Sequence, residues 1–227
     1  MKYVICTAAL TALAGSASAD TLASWSYDGL VITTGTPAAS YNAGAADSGV
    51  FAASSISSGT HASAASAWST PVGNGSVKSF SANGFAVGDY WQFTSSTLGY
   101  SSLSFKFDAV SSNTGPRDMK ISYSTNGSSF TDIGTYQNRA NAAPAWSSGL
   151  GTGLDTFTFA LPAGAENQAN LYIRLSLTGT TSASGTTTVA ATGTSRIDTV
   201  SLTGVTPTPG AASLMGFAGL VGLRRRR

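Results

Sequence analysis

Residues 103–108 read Leu-Ser-Phe-Lys-Phe-Asp, and this hexapeptide decides the fold class. Leu103, Phe105 and Phe107 alternate with polar residues, which is the two-residue period of a strand with one buried face. The same alternation recurs along the chain in residues 90–93, 119–124, 156–161, 171–177 and 196–202. A chain of short half-buried strands is therefore expected on both sides of the hexapeptide.

Turn residues separate these runs, and no segment between residues 20 and 204 shows the apolar period of a helix. Asn126-Gly127 lies between two runs and predicts a tight hairpin, because both residues tolerate positive φ. About six to eight strands joined in this way predict an all-β fold, an antiparallel jelly-roll-like β-sandwich. Residues 33–81 and 178–195 are expected to be long loops, and the apolar character of residues 49–51 indicates a weak edge strand within the first.

The N-terminus has the pattern of an export signal. Lys2 precedes a mostly apolar stretch, and Ala17-Ser18-Ala19 fits the small-x-small pattern that signal peptidase cuts. Residues 1–19 therefore predict a signal peptide that directs the chain through the Sec export machinery. Cleavage before Asp20 removes Cys6, the only cysteine, so neither a disulfide nor a thiol nucleophile is expected in the mature chain.

The C-terminus has the pattern of a membrane anchor. An apolar run over residues 211–223 is flanked by a proline-containing element and by four arginines: Pro207, Thr208, Pro209, Arg224, Arg225, Arg226 and Arg227. The run has no polar face for docking on a soluble core, and the arginines mark the cytoplasmic side of the inner membrane. As a helix it reaches about 20 Å, short of a hydrocarbon core of about 30 Å, which leaves a short core helix as the alternative.

These three parts resemble the PEP-CTERM sorting signal of bacterial exopolysaccharide-associated proteins, with Thr208 where the usual motif has Glu. The resemblance covers residues 205–227. It implies that exosortase, a membrane-embedded cysteine transpeptidase, reads the tail and cuts near the Pro-x-Pro element. The expected organisation is a signal peptide (1–19), a β-sandwich ectodomain (20–204) and a sorting tail (205–227). Such a protein is exported, transiently anchored in the inner membrane, and then found at the cell surface or in the extracellular matrix.

Four segments of the ectodomain carry a second resemblance: residues 22–27, 88–93, 114–127 and 196–200. They resemble a secreted β-sandwich that occurs in PEP-CTERM proteins and beside secreted hydrolases, and that is similar to galactose-binding-like jelly rolls. The resemblance implies a fold. A jelly roll at a bacterial surface often binds sugars, so exopolysaccharide is the expected partner.

Charge excludes nucleic acid as a partner. Between residues 20 and 206, seven basic and ten acidic side chains give a net charge of −3. The sequence pI of about 8.8 therefore comes from the terminal arginines. The few cations of the ectodomain are scattered along the chain, without the basic patch that nucleic-acid binding requires.

Catalysis is not expected. His61 is the only histidine and lies in an Ala/Ser-rich stretch, where a solvated loop residue is the ordinary interpretation. The usual zinc sites need more His or Cys ligands than the mature chain has. The alternative is a secreted carboxylate-dependent hydrolase such as a glycosidase, which needs two acids about 5 to 10 Å apart. No spacing identifies a pair, and five aspartates are expected to be solvated beside turns or on polar strand faces: Asp89, Asp108, Asp118, Asp132 and Asp155.

The tryptophans supply the sugar-binding hypothesis. Trp25 and Trp91 lie in strand-like runs and are expected in the core, whereas Trp68 and Trp146 lie in Ser/Ala-rich segments and are expected to be exposed. An exposed indole can stack on a pyranose ring, with amides and charged groups binding its hydroxyls. The predicted platform consists of Trp146, Tyr136, Asn138 and Arg139, with Trp68 as a further candidate. The alternative role for a loop tryptophan is to cover an end of the sandwich.

Calcium is the one metal that the sequence suggests, and no other cofactor is expected. Asp28, Asp47 and Asp198 lie near the two ends of the ectodomain, which a jelly roll can bring together, and Ca²⁺ prefers oxygen ligands. The hypothesis is a structural Ca²⁺ held by these three carboxylates. The alternative is that Asp198 pairs with Arg174 or Arg196, or caps the final turn.

Overall fold

The computed structural model describes residues 18–33 and 37–207. Within these ranges three short 3-10 helices occur, and no helix is long and apolar enough to cross a membrane. The remaining regular structure is strand: β1 Ala19–Trp25, β2 Ser40–Ala45, β3 Ile56–Thr60, β4 Trp68–Ser69, β5 Phe80–Asn83, β6 Tyr90–Ser95, β7 Ser101–Ser111, β8 Asp118–Ser124, β9 Thr131–Gln137, β10 Thr156–Ala160, β11 Leu171–Leu177 and β12 Thr194–Val205. The predicted all-β class is confirmed.

The strands form two antiparallel six-stranded sheets. The front sheet has the order β2-β3-β6-β11-β8-β9, and the back sheet has the order β10-β7-β12-β5-β4, with β1 also paired to β12. One edge of β12 is shared, because β5 pairs with residues 194–197 and β1 with residues 200–205. Thr199 lies between these two partners with φ +47°, in a bulge of β12. The predicted jelly-roll-like β-sandwich is confirmed.

Aromatic side chains fill the space between the sheets. Trp25 and Trp91 are buried there, as predicted, and Trp25 lies edge-on to Phe93 with ring centroids 5.3 Å apart. Phe105 and Phe107 of β7 are also fully buried, as the alternation in the hexapeptide indicates. Each such ring removes about 150 to 250 Å² from water. This apolar burial stabilises the described domain, which contains no cysteine.

The predicted loop over residues 33–81 is wrong, because β2, β3, β4 and β5 lie there. The inward residues of β3 are Ser57 and Gly59, which are too small to give an apolar pattern. Their size has a structural reason, since a Cβ on Gly59 would lie 2.5 Å from the Trp68 ring. The hidden strand proposed at residues 49–51 is also wrong, because that segment is a turn. The second predicted loop is irregular up to Gly193, where β12 follows.

The predicted hairpin is confirmed as the antiparallel pair β8 and β9. Its turn differs from the prediction, because six residues connect the two strands. Gly127 has positive φ, whereas Asn126 uses its side chain: Oδ1 accepts hydrogen bonds from the backbone N–H groups of Ser128 and Ser129 at 2.9 Å. An Asx turn thus replaces the two-residue turn.

Most of the predicted targeting signals lie outside the described residues. This holds for the signal peptide up to residue 17, for Thr208 and Pro209, and for the apolar run and the terminal arginines. Pro207 is the last described residue and is exposed.

Candidate functional site

The two tryptophans expected at the surface are buried, so that expectation is wrong. Trp68 is 2% exposed and Trp146 is 4% exposed. Trp68 belongs to β4, where its ring stacks on Phe80 with centroids 5.4 Å apart. Its Nε1 donates to the carbonyl oxygen of Ala38 at 2.9 Å. The small residues around Trp68 in the sequence are therefore part of the packing and do not mark an open loop.

Trp146 and Arg139 do come together, around the buried carboxylate of Asp155. Trp146 Nε1 donates to Asp155 Oδ2 at 2.7 Å, and Arg139 Nη2 donates to the same oxygen at 2.8 Å. Arg139 Nε lies 2.7 Å from Asp155 Oδ1, and its Nη2 also donates to the carbonyl of Pro144. This cluster cross-links the segment between β9 and β10. It offers no open indole face to a sugar.

The other two members of the predicted platform are also interior. Tyr136 packs against Phe107 and Phe157 with ring centroids 5.1 and 4.7 Å apart, and burial raises the pKa of its phenol. Asn138 is buried, and its Nδ2 donates to Ser111 Oγ at 3.2 Å. The structure therefore corrects the prediction of an exposed platform at Trp146, Tyr136, Asn138, Arg139 and Trp68.

The three carboxylates proposed to bind Ca²⁺ accept hydrogen bonds from different parts of the chain. Asp47 Oδ2 accepts from the backbone N–H and hydroxyl of Ser26 at 2.6 and 2.9 Å. Asp28 Oδ1 accepts from the backbone N–H groups of residues 77–78 at 2.8 and 3.0 Å. Across residues 18–33 and 37–207 no three His, Cys, Asp or Glu side chains form a group suited to a metal ion. The predicted convergence of Asp28, Asp47 and Asp198 is therefore wrong.

Asp198 instead belongs to a buried polar cluster. Its Oδ2 accepts from the Asn74 backbone N–H at 2.7 Å, while Asn74 Nδ2 donates to Asp108 Oδ2 at 2.8 Å. Burial raises the pKa of Asp198 to about 6, and the charge of Asp108 adds to this effect. Neither Arg174 nor Arg196 forms an ion pair with Asp198. Asp108 was expected on a solvated face and is buried, because the loop carrying Asn74 covers it.

Asp89 and Asp155 are likewise buried, contrary to expectation, whereas Asp118 and Asp132 keep partial exposure. Asp89 caps a loop by accepting from the backbone N–H groups of residues 62 and 86 at 2.8 and 2.7 Å. Arg117, as a hydrogen-bond donor, lowers the pKa of Asp118. The buried carboxylates thus organise loops of the sandwich.

His61 is buried, so the expectation of a solvated loop residue is wrong. Its ring packs against Phe85 and Trp68 with centroids 4.2 and 4.8 Å apart. Nδ1 lies 2.7 Å from Ser66 Oγ and 3.9 Å from Asp89 Oδ2. Burial lowers the pKa of the imidazole. A Ser-His-Asp relay needs the hydroxyl and the carboxylate on different ring nitrogens, and here both face Nδ1.

A cleft of about 480 Å³ lies on the outer face of the front sheet. It lies over β6, β11 and β8 and is bordered by the β8–β9 hairpin loop. Its floor and walls include Tyr90, Lys120, Ser122, Phe130, Arg174 and Ser176. We call it the front cleft.

Strand register arranges the outer residues of the front cleft in two rows. Arg174 pairs with Gln92 on one side and with Ser122 on the other. One step along, Ser176 lies between Tyr90 and Lys120. These positions face outward because residues 173 and 175, which alternate with them, are buried in the core. Three central strands thus present polar and aromatic groups on one rigid surface.

Arg174 occupies the centre of this arrangement. Its guanidinium carbon lies 3.9 Å from the ring centroid of Tyr90 and 3.9 Å from that of Phe130. Its Nε donates to Gln92 Oε1 at 2.8 Å. Each cation–π contact contributes about 0.5 to 2 kcal/mol, depending on how far it is removed from water. Lys120, at the margin, forms a half-exposed ion pair with Asp132 at 3.0 Å.

Sequence reasoning missed the front cleft although it identified the three strands. The sequence predicts strand positions for Tyr90, Gln92 and Arg174, and its local patterns do not show which strands are neighbours. The cleft depends on the order β6-β11-β8, in which β11 is inserted between two strands that precede it in the sequence. The available signal was the unusual outward sequence of β11, with Tyr172 and Arg174 among smaller polar residues.

Comparison with known proteins gives architectural similarity. No family model matches the chain, and no curated protein matches it. A xylan-binding domain, CBM22-2 of Paenibacillus barcinonensis Xyn10C, shares 12% identity over 80% of this chain and 98% of that chain, with a TM-score of 0.41. The K1 cleaved adhesin domain of Lys-gingipain from Porphyromonas gingivalis shares 14% identity over 79% and 95%, with a TM-score of 0.40. TmCBM61, solved with β-1,4-galactotriose, shares 10% over 65% and 86%, with a TM-score of 0.38. These values assign no ligand to this chain.

Proposed function

We propose that the protein is a non-catalytic carbohydrate-binding protein of the cell surface or extracellular matrix, which associates with exopolysaccharide through the front cleft. The observation that carries the proposal is the cleft itself, where Tyr90 and Phe130 lie beside the hydrogen-bonding groups of Gln92, Ser122 and Arg174. A sugar has an apolar ring face and a rim of hydroxyls. A site that mixes aromatic rings with a few fixed polar groups is complementary to both.

The rigidity of the front cleft supports binding. Its rows run across strands that lie about 4.8 Å apart, so three neighbouring strands offer a track long enough for more than one sugar ring. Tyr90, Ser122, Arg174 and Ser176 are held by strands of the sheet, and Phe130 comes from the adjoining hairpin loop. Side chains fixed by a sheet lose little entropy on binding. An extended glycan chain crossing β6, β11 and β8 is the ligand shape that fits.

The alternative function is a secreted carboxylate-dependent hydrolase such as a glycosidase. That chemistry needs two carboxylates that a substrate can reach, about 5 to 10 Å apart. Asp108 and Asp198 face each other but are buried beneath the loop of Asn74. At the cleft margin, Asp132 is paired with Lys120. This distribution favours binding over hydrolysis, and release of new reducing ends from exopolysaccharide by the purified protein would favour the hydrolase.

The binding experiment uses the full-length protein with oligosaccharides prepared from the exopolysaccharide of its host. Isothermal titration should give saturable binding, weakened by Tyr90→Ala and by Phe130→Ala. Leu150→Ala is the matched control, because it removes an apolar side chain that is 84% exposed and lies outside the front cleft. Binding unaffected by both aromatic substitutions, or no binding at all, would contradict the proposal.

The proposed location rests on the sequence of the two ends. Signal peptidase, the Sec machinery and an exosortase-type transpeptidase are the proposed partners, with the inner membrane as a transient anchor. Intact mass spectrometry of membrane, surface and medium fractions tests this. A released species that starts at Asp20 and ends near residues 207–209 supports sorting, whereas a full-length chain found only in the membrane contradicts it. Deleting residues 224–227 should leave export intact and prevent processing.

A further inference from the structure

The front cleft contains a cation without a carboxylate partner. All ten acidic side chains lie in the described ranges, and none of them forms an ion pair with Arg174. The second cation of the cleft, Lys120, is already paired with Asp132 at 3.0 Å. The cleft therefore carries one positive charge that no acidic side chain in the described ranges pairs with.

The unpaired guanidinium is held in place. The rings of Tyr90 and Phe130 each lie 3.9 Å from its carbon atom, and Gln92 accepts from its Nε at 2.8 Å. Its two Nη nitrogens make no hydrogen bond to any residue in the described part of the chain. Arginine presents these remaining donors as a planar fork that matches a carboxylate in two-point geometry. A fork fixed in advance loses little freedom when an anion binds.

This charge contrasts with the rest of the ectodomain, which has a net charge of −3 between residues 20 and 206. An acidic protein repels an anionic polymer in general, so contact with such a polymer requires a local cation in an accessible site. Lys106, by comparison, is an exposed cation on the outer face of the back sheet and does not line the front cleft. The front cleft combines the exposed shape with the fixed charge.

We propose that the front cleft recognises a carboxylate-bearing sugar, a uronate of an acidic polysaccharide, through an ion pair between Arg174 and the sugar carboxylate. This inference rests on the proposed function and specifies its ligand class. Tyr90 and Phe130 position the guanidinium, and Gln92 sets its rotation. Ser122 and Ser176 line the floor of the cleft, where they are buried.

The test compares one polysaccharide in two charge states. Short oligosaccharides of the host's exopolysaccharide are used as isolated and after reduction of their carboxyl groups to neutral alcohols, which preserves the linkages. The full-length protein should bind the native oligosaccharides about 10- to 100-fold more tightly than the reduced ones. Raising the salt concentration should weaken the first interaction and leave the second nearly unchanged.

Variants test whether Arg174 causes the preference for the native oligosaccharides. Arg174→Gln should remove the preference for the native form, and Arg174→Lys should keep part of it, because the charge remains while the fork is lost. Lys106→Gln removes one exposed cation elsewhere and should leave the preference intact. Thermal unfolding of each variant shows whether the fold is retained, and Arg174→Lys keeps the test valid if Arg174→Gln is unstable.

The outcomes separate the two proposals. Equal binding of native and reduced oligosaccharides, lost in Tyr90→Ala, overturns the uronate inference and leaves carbohydrate binding in place. A preference for the native form that survives Arg174→Gln in a folded protein also overturns it. Binding of neither form overturns both proposals.

Discussion

Asp108 and Asp198 lie directly opposite each other on β7 and β12, and Asn74 donates to both carboxylates. Asp198 is 0% exposed, and its burial raises its pKa to about 6, well above the value of 3.8 for a free side chain. Between these two values the folded state holds more protons than the unfolded state. The free energy of unfolding therefore falls as pH rises through this window, and the cost of the buried charge is complete above pH 6.

The substitution Asp198→Asn should remove this dependence. An asparagine keeps an acceptor for Asn74 and carries no charge, so the variant should gain stability relative to the parent as pH rises from about 4 to about 7. The gain should be on the order of 1 to 3 kcal/mol. Melting temperatures measured across this range give the answer, with Asp132→Asn as an exposed control. Parallel pH profiles of the parent and Asp198→Asn would contradict the burial argument.

The second prediction concerns His61, the only histidine of the chain. Burial lowers the pKa of its imidazole, so the ring should take up a proton at a lower pH than a free histidine does. The stability that this neutral ring provides is present above pH 6.5 and is lost as pH falls below it, opposite in sign to the effect of Asp198.

The measurement is direct, because a single imidazole gives a single set of proton resonances. The titration midpoint of these resonances should lie below 6.5. A titration midpoint near 6.5 would show that the ring is open to water and that its contacts with Phe85 and Trp68 are not maintained.

The third prediction tests the cluster that replaced the expected sugar platform. Arg139→Ala leaves the buried carboxylate of Asp155 with Trp146 Nε1 as its remaining side-chain donor. We expect a loss of about 2 to 4 kcal/mol in the free energy of unfolding, because an unpaired charge stays in the interior. Arg117→Ala, which breaks the half-exposed pair with Asp118, should cost no more than about 1 kcal/mol. Equal losses in urea unfolding would show that Asp155 is solvated.

The strands that could be predicted are those with large inward side chains. Leu103, Phe105 and Phe107 give a period of two, because one face of their strand packs against the apolar core. In β3 the inward positions are Ser57 and Gly59, since the bulk at that layer comes from Trp68 on the other sheet. Both β7 and β3 have inward residues that alternate with outward ones. Only in β7 are the inward residues apolar enough for the sequence to show this alternation.

The exposure of a side chain was harder to predict than its strand. Trp146 lies among Pro, Ala and Ser, and nothing local shows that Asp155 will bind its indole nitrogen. The front cleft depends in the same way on neighbours distant in sequence, because Arg174 meets Gln92 from 82 positions earlier in the chain. Local composition predicts whether a segment forms a strand or a loop. The burial of its side chains and the geometry of a site depend on which strands become neighbours.

The fourth prediction tests the packing that hid β3 from sequence reasoning. A Cβ on Gly59 would lie 2.5 Å from Trp68 Cη2 and 3.1 Å from Trp91 Cε3, so Gly59→Ala must displace a buried indole. We expect a loss of about 1 to 3 kcal/mol, measured by urea unfolding. Gly149→Ala is the control, because its Cβ would meet no atom within 4 Å.

A second substitution separates this steric effect from the general preference of glycine for irregular backbone. Trp68→Phe shortens the ring that blocks the Cβ, at the cost of a cavity and of the hydrogen bond to the Ala38 carbonyl. If the clash is the cause, Gly59→Ala should cost less in the Trp68→Phe background than in the parent, because the added methyl group fills part of the cavity. The two changes would then be coupled by at least about 0.5 kcal/mol. Strictly additive losses would mean that the two rings move apart without resistance and that the small size of residue 59 has another origin.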